Sequence, residues 1–248
     1  MSGHSKWANI RFRKEIADKR KGKIFTKLAQ QITVAAKEGS EIKLKLAIEK
    51  AKQANLPSEN IERAIKRGRG ELGGAKLEEV TYEAIGPEGI AILISATTDN
   101  KNRTSQEVRN VLEKNGAKMA GAGSVRWMFE QKGIIRIDAK SQDKEELELL
   151  AIDAGADDVR EEEDEILVYT KPENLESVKK NLETEKLSIT NYEISVEPKN
   201  SVKINNLETA KKILKLMDEI DNLDEVTSVS SNFDIPEEII KNIENSKS

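Results

Sequence analysis

The stretch GIIRIDAKSQDKEELELLAIDAG, Gly133–Gly155, changes its period half-way along. Ile134–Asp138, with Ile134, Ile135 and Ile137, reads as a strand, whereas from Asp143 to Ala154 the apolar positions Leu147, Leu150, Ala151 and Ala154 recur at helical spacing and Gly155 supplies the stop. The next residues extend the unit. Val159 to Tyr169 reads as a hairpin, Pro172 opens a second helix carrying Leu175, Val178 and Leu182, and Tyr192, Ile194 and Val196 alternate in a closing strand. A β-α-β-β-α-β order predicts a ferredoxin-like sandwich over residues 133–199.

Upstream, Val80–Ile85 and Ile90–Ser95 read as strands joined through Gly86-Pro87-Glu88-Gly89. A helix follows, with Thr104 and Glu107 as a capping box ahead of Val108, Val111 and Leu112, and Asn115-Gly116 as its stop. After Gly121-Ala122-Gly123-Ser124, the alternation of Val125, Trp127 and Phe129 predicts a strand. Downstream, Val202–Ile204, a helix with Ala210, Ile213, Leu214 and Met217, and a strand near Val226 to Val229 are expected to return and complete this middle sheet. Residues 75–132 and 200–248 then form one discontinuous α/β domain, with residues 133–199 inserted in it.

Residues 1–74 read as a basic arm and a three-helix domain. Ile24, Phe25, Leu28, Ile32, Ala35 and Ala36 share one face and Gly39 ends it; Leu44, Ala47, Ile48 and Ala51 make a second helix that stops before Leu56-Pro57. Ser58 is expected to cap a third, Glu59 to Arg67, with Gly68 at its C′ position. The fold class is therefore α+β: a basic N-terminal helical domain followed by two α/β sandwich domains, the last ferredoxin-like and inserted in the middle one.

Composition excludes several chemistries. The 248 residues contain no cysteine and one histidine, so disulfides, thiolate metal sites and cysteine nucleophiles are out. No run approaches the ~18 apolar residues of a membrane span, and the basic start lacks the apolar core of a signal peptide; a cytoplasmic protein with no membrane partner is expected. Glu161-Glu162-Glu163-Asp164-Glu165 is a solvated hairpin tip in this reading, because neighbours in a run point apart rather than converge on a metal. There is no Ser/His/Asp set, P-loop or H-E-x-x-H, so no catalytic residue, metal or cofactor is expected. Gly68-Arg69-Gly70-Glu71-Leu72-Gly73 has the letters of the dinucleotide fingerprint, but a helix precedes it and a strand follows, the reverse of what that motif needs; it reads as a linker.

Charge is the strongest functional signal. The formal net of −4 combines 41 Lys+Arg with 45 Asp+Glu. Residues 1–70 hold 18 cations and 7 acids, a net of +11, which leaves −15 on the remainder. A basic end on an acidic body points to a polyanion partner for that end, since Lys and Arg gain by releasing phosphate counterions. Candidate nucleic-acid contacts there are His4, Lys6, Trp7, Arg11, Arg13, Lys14, Lys19, Arg20, Lys21, Lys23 and Lys27, joined by Arg63, Lys66 and Arg67 on the outer face of the third helix. Trp7 suits base stacking, or pins the arm to the body. Asn100, Lys101, Asn102 and Arg103 lie at a strand-to-helix junction, where free backbone N–H groups suit a phosphate; capping and turn formation would equally explain the amides. Gly121 and Gly123 either let a backbone approach a ligand or simply form a loop.

The blocks GHSKWANI (Gly3–Ile10), GKIFTKL (Gly22–Leu28), VAAKEG (Val34–Gly39), AIEKAKQANLP (Ala47–Pro57) and NIERAIKRG (Asn60–Gly68) resemble the YebC/PmpR family. TTDNKNRTSQEVR (Thr97–Arg109), GSVRWMF (Gly123–Phe129) and AIDAGADDV (Ala151–Val159) continue the likeness through most of the chain. The resemblance implies a helical domain followed by two α/β domains and a role in gene expression. It carries two functional labels: DNA-binding transcriptional regulation, with promoter DNA as partner, and, through mitochondrial translational activators of cytochrome oxidase, action on the ribosome and its RNA during synthesis of proline-rich segments. The chain departs from the family's pattern in the short Glu38-Gly39-Ser40-Glu41 connection, in the absence of a second histidine within Arg11-Phe12-Arg13-Lys14, and at Lys45, where arginine is usual. Positive charge survives these changes, but imidazole-specific and bidentate Arg contacts are not expected at the changed positions.

Overall fold

The computed structural model describes residues 21–73, 77–140, 142–162 and 164–245. Its chain divides into two compact units: Phe129–Lys199, and the described residues before Phe129 together with those from Asn200 onward.

The second of these begins with three helices, α1 (Lys21–Glu38), α2 (Glu41–Gln53) and α3 (Ser58–Gly68). Their apolar stripes meet in a core of Leu28, Ile32, Ala51, Leu56, Ile61 and Ala64. Ser40 caps α2 by accepting from the Lys43 N–H, after Gly39 has turned the chain at φ +72°. Two expected boundaries move. Pro57, not Ser58, holds the N-cap position of α3, and Gly68 lies inside that helix, with Gly70 beyond it at φ +77°. Gly68 serves close approach instead. A Cβ there would lie 2.3 Å from the Thr33 carbonyl oxygen and 2.7 Å from Ala36 Cβ, and at the same crossing Thr33 Oγ1 donates to Ala64 O at 3.2 Å.

The same unit holds a four-stranded antiparallel sheet. Its strands β1 (Glu78–Ile85), β2 (Ala91–Thr98), β3 (Lys118–Ala120) and β9 (Val226–Ser231) run in the order β3-β1-β2-β9, so the C-terminal segment does return to complete it. Helices α4 (Lys101–Lys114), α7 (Leu207–Asp221) and α8 (Glu237–Asn245) contribute Val108, Leu112, Ile213, Met217 and Ile240 to the core against Ile92, Ile94 and Val229. The cap of α4 is Asn100, whose side chain accepts from the Arg103 N–H at 3.1 Å, rather than Thr104. Thr104 is buried within the first turn, bonded to Thr98 Oγ1 at 2.8 Å. Val202–Lys203 (β8) departs from expectation too: it pairs in parallel with Phe233–Asp234 (β10) as a separate two-stranded sheet. The Val125–Phe129 stretch is not a strand before Phe129. It is a 3₁₀ turn, Arg126–Met128, that keeps the alternation of burial, with Val125 and Phe129 inside and Trp127 outside.

The Phe129–Lys199 unit is the ferredoxin-like sandwich. Strands β4 (Phe129–Asp138), β5 (Asp158–Glu161), β6 (Glu165–Thr170) and β7 (Ile189–Pro198) form an antiparallel sheet in the order β5-β6-β4-β7, with α5 (Lys144–Asp153) and α6 (Leu175–Thr184) as the crossovers. Pro172 starts a 3₁₀ turn that leads into α6. Phe129 pairs with Pro198, so the two ends of the unit leave side by side.

Candidate nucleic-acid interface

Helix α3 shows how helical spacing sorts charge. Ile61 and Ala64 are buried, while Arg63, Lys66 and Arg67, at i, i+3 and i+4, form one exposed stripe on the opposite side. Glu59 sits in the first turn and Lys66-Arg67 in the last, which suits the helix dipole and leaves the positive end of the side-chain pattern at the C-terminus. Among the described residues none of Arg63, Lys66, Arg67 or Arg69 enters an ion pair. Their charge faces solvent.

The other predicted cations fare differently. Lys21 is the first residue of α1. Lys27, with its side chain only 13% exposed, donates to the carbonyl oxygen of Asp221 at the C-terminus of α7 and lies 3.8 Å from that residue's carboxylate. Lys23 lies beside it, 2.9 Å from Asp224 Oδ1, and donates to Asn222 O at 3.2 Å. Two lysines thus meet the terminal carbonyls of a helix end and dock α1 on α7. His4, Lys6, Trp7, Arg11, Arg13, Lys14, Lys19 and Arg20 lie outside the described residues.

At the start of α4 the sequence suggested a phosphate site. Lys101 Nζ lies 2.6 Å from Glu78 Oε2, and Arg103 bonds Asp99 Oδ1 at 2.8 Å and also the Glu225 carboxylate. Hydrogen bonding to Glu78 raises the Lys101 pKa, and bonds to Glu225 and Asp99 raise that of Arg103. A shallow depression here is lined by Glu78, Thr98, Asp99, Asn100, Lys101 and the exposed Asn102. With Glu78, Asp99 and Glu225 set against two cations, the local balance is negative. The geometry serves capping and ion pairing.

Residue reading missed one feature entirely. Glu83 on β1 is buried, and its carboxylate accepts three backbone N–H groups: Gly123 at 2.6 Å, Val125 at 2.7 Å and Arg126 at 3.0 Å. Burial alone would raise its pKa; the three donors and the nearby Arg126 charge overcome that and hold it below the ordinary value. The loop so fixed turns at Gly123, φ +84°, and presents Arg126 and Trp127 to solvent, Trp127 at 65% exposure with Nε1 donating to Ser124 O at 3.0 Å. Glu83 lies between buried Tyr82 and Ala84, so strand alternation does point it to the other face. Nothing near it in sequence says what covers that face.

Residues 77–233 match the family described as TACO1/YebC second and third domain, and residues 5–71 match the TACO1/YebC protein N-terminal domain. The chain belongs to this family. Relatives named "Probable transcriptional regulatory protein" occur in Halothermothrix orenii, 46% identical over 98% of this chain and 99% of the relative, and in Aquifex aeolicus, 46% identical over 98% and 100%. A relative of the same description in Caldanaerobacter subterraneus is 49% identical over 96% of this chain and 100% of its own. The crystal structure of a conserved hypothetical protein from Aquifex aeolicus superposes with a TM-score of 0.82 at 46% identity, covering 90% of this chain and 94% of that one. The stripe on α3 falls in the family's N-terminal domain, and the Glu83-anchored loop falls in the matched region after it. Among the described residues no helix is long and apolar enough to cross a membrane, and no three or more His, Asp or Glu side chains converge as a metal site would require.

Proposed function

We propose that this family member is a non-enzymatic, nucleic-acid-binding regulator of gene expression, acting on DNA in transcription, and that it grips its polyanion through residues 1–74. The observation that supports this best is the exposed stripe Arg63, Lys66 and Arg67, which enters no ion pair among the described residues and lies within residues 1–70, of net charge +11. Such cations gain affinity by releasing counterions from phosphates, whereas those already held by carboxylates must first break an ion pair. His4, Lys6, Trp7, Arg11, Arg13, Lys14, Lys19, Arg20 and Lys21 add to the charge and aromatic surface of the same segment. The relatives' names point to transcription, and the acidic remainder, at −15, would repel indiscriminate coating of nucleic acid.

In the full-length protein, replacing Arg63, Lys66 and Arg67 together with Ala is expected to weaken duplex binding and to lower the slope of log K against log[salt] by about 2 to 3, near 0.9 per lost phosphate contact. An unchanged slope would overturn the assignment of this face. A second reading, binding of ribosomal RNA by a ribosome-associated factor, is favoured by Glu59 and Glu62. Both are exposed at the N-terminal end of α3, the end a recognition helix inserts into a major groove, where negative charge is unfavourable. A helix flank meeting irregular RNA has no such conflict. Crosslinking in cells, followed by sequencing of bound DNA and bound RNA, separates the two.

A further inference from the structure

We infer that, within the nucleic-acid-binding reading above, Trp127 is a stacking platform for an unpaired nucleobase and Arg126 the cation that holds the adjoining phosphate. Tryptophan is among the residues most buried on average, yet this indole is 65% exposed. Its one polar handle is already used, because Nε1 donates to Ser124 O at 3.0 Å. What it offers a partner is therefore its π-face, the part that every nucleobase can stack on whatever its hydrogen-bonding edge.

The loop is built in advance for this. Three backbone N–H groups converge on the buried Glu83 carboxylate, so the backbone under Arg126 and Trp127 is ordered before any ligand arrives and little entropy is lost on binding. Arg126 is exposed and forms no ion pair among the described residues, and Lys118, also exposed, lies on the edge strand β3 that pairs with β1 beside Glu83. Glu83 is inside the loop, with both carboxylate oxygens taken up by N–H donors. An aromatic face beside the exposed Arg126, with the Glu83 carboxylate turned inward, fits a single strand whose bases are splayed out. A duplex keeps its base faces stacked on each other and offers Trp127 nothing.

Full-length protein is titrated with a fluorescein-labelled single-stranded RNA of about 20 nucleotides and with the duplex of the same sequence. Trp127→Ala is expected to weaken single-strand binding about tenfold and duplex binding less than about twofold, while Trp127→Phe keeps most of the affinity. Arg126→Ala should lower the single-strand salt slope by about 0.7, one phosphate contact. In the unaltered protein, a 4-thiouridine in the single strand should crosslink to Trp127. Wild-type affinity in Trp127→Ala, with binding lost only in the Arg63/Lys66/Arg67 variant, would overturn the platform and leave the proposed function standing. Equal losses on single strand and duplex, or crosslinks confined to other residues, would also overturn it. A protein that binds neither RNA probe would overturn the platform and the ribosomal-RNA reading, while the DNA reading would stand or fall by the duplex salt slope of the Arg63/Lys66/Arg67 variant.

Discussion

At position 68 a Cβ would sit 2.3 Å from a backbone oxygen and 3.2 Å from the Lys37 amide nitrogen, and neither can swing aside as a flexible side chain could. Gly68→Ala is therefore expected to lower stability by about 1 to 3 kcal/mol through forced separation of α1 and α3, measured by urea denaturation. Glu83 supports a pH prediction. Its pKa is lowered on folding, so its contribution is fully present above the ordinary value of 4.5 and is lost as the pH falls through the folded value. At neutral pH Glu83→Gln should cost about 1 to 3 kcal/mol, because the amide cannot satisfy three N–H donors with one oxygen. That difference from wild type should shrink steadily as the pH is taken below 4.5, and a gap that does not narrow would show that the carboxylate charge is not what holds the loop.

Helix α1 is held from several sides. Lys23 and Lys27 meet the end of α7, Gln31 donates to Thr227 O on β9 at 3.4 Å, and Lys37 donates to Leu77 O at 2.8 Å. Lys27→Ala removes a nearly buried cation from a helix C-terminus, and a loss of up to about 2 kcal/mol is expected, with faster amide exchange along α1 as the local readout. Most elements were legible because their signals are local: apolar residues at a helical period in α4 and α7, Gly86-Pro87 between β1 and β2, and the β-α-β-β-α-β order. The errors are also local competitions. Asn100 and Thr104 are both good caps, and the winner depends on Glu225 and Thr98, which engage the Thr104 hydroxyl from elsewhere in the fold. Val125, Trp127 and Phe129 alternate in burial as a strand would, yet without a partner strand at hand Arg126–Met128 closes as a 3₁₀ turn under Glu83.

For the whole molecule, the ends of the ferredoxin-like unit pair with one another at Phe129 and Pro198, which is how a complete sheet can be set into a chain whose other sheet is finished only by β9. We therefore expect a fragment spanning Phe129–Lys199 to fold cooperatively by itself, with a single denaturation transition by circular dichroism. The sheet β3-β1-β2-β9 should instead be lost when the chain is cut before Asn200, since β9 and the α7 side chains Ile213 and Met217 would be missing from its core.

Sequence by itself determined the α+β class, the ferredoxin-like order and the separation of a +11 segment from a −15 remainder, because composition and periodicity are properties of neighbouring residues; the resemblance to the family rested on motif blocks such as GHSKWANI at Gly3–Ile10. Only the tertiary structure decided which charges are available. Lys27 is taken up by Asp221, 194 residues away, and Arg103 by Glu225, 122 residues away, whereas Arg63, Lys66 and Arg67 are exposed and enter no ion pair among the described residues. The same holds for Trp127, exposed because Glu83, distant in the chain, draws the loop backbone inward. Coulomb attraction and hydrogen bonding act through space, so the free surface of a side chain is set by neighbours that the order of residues does not name.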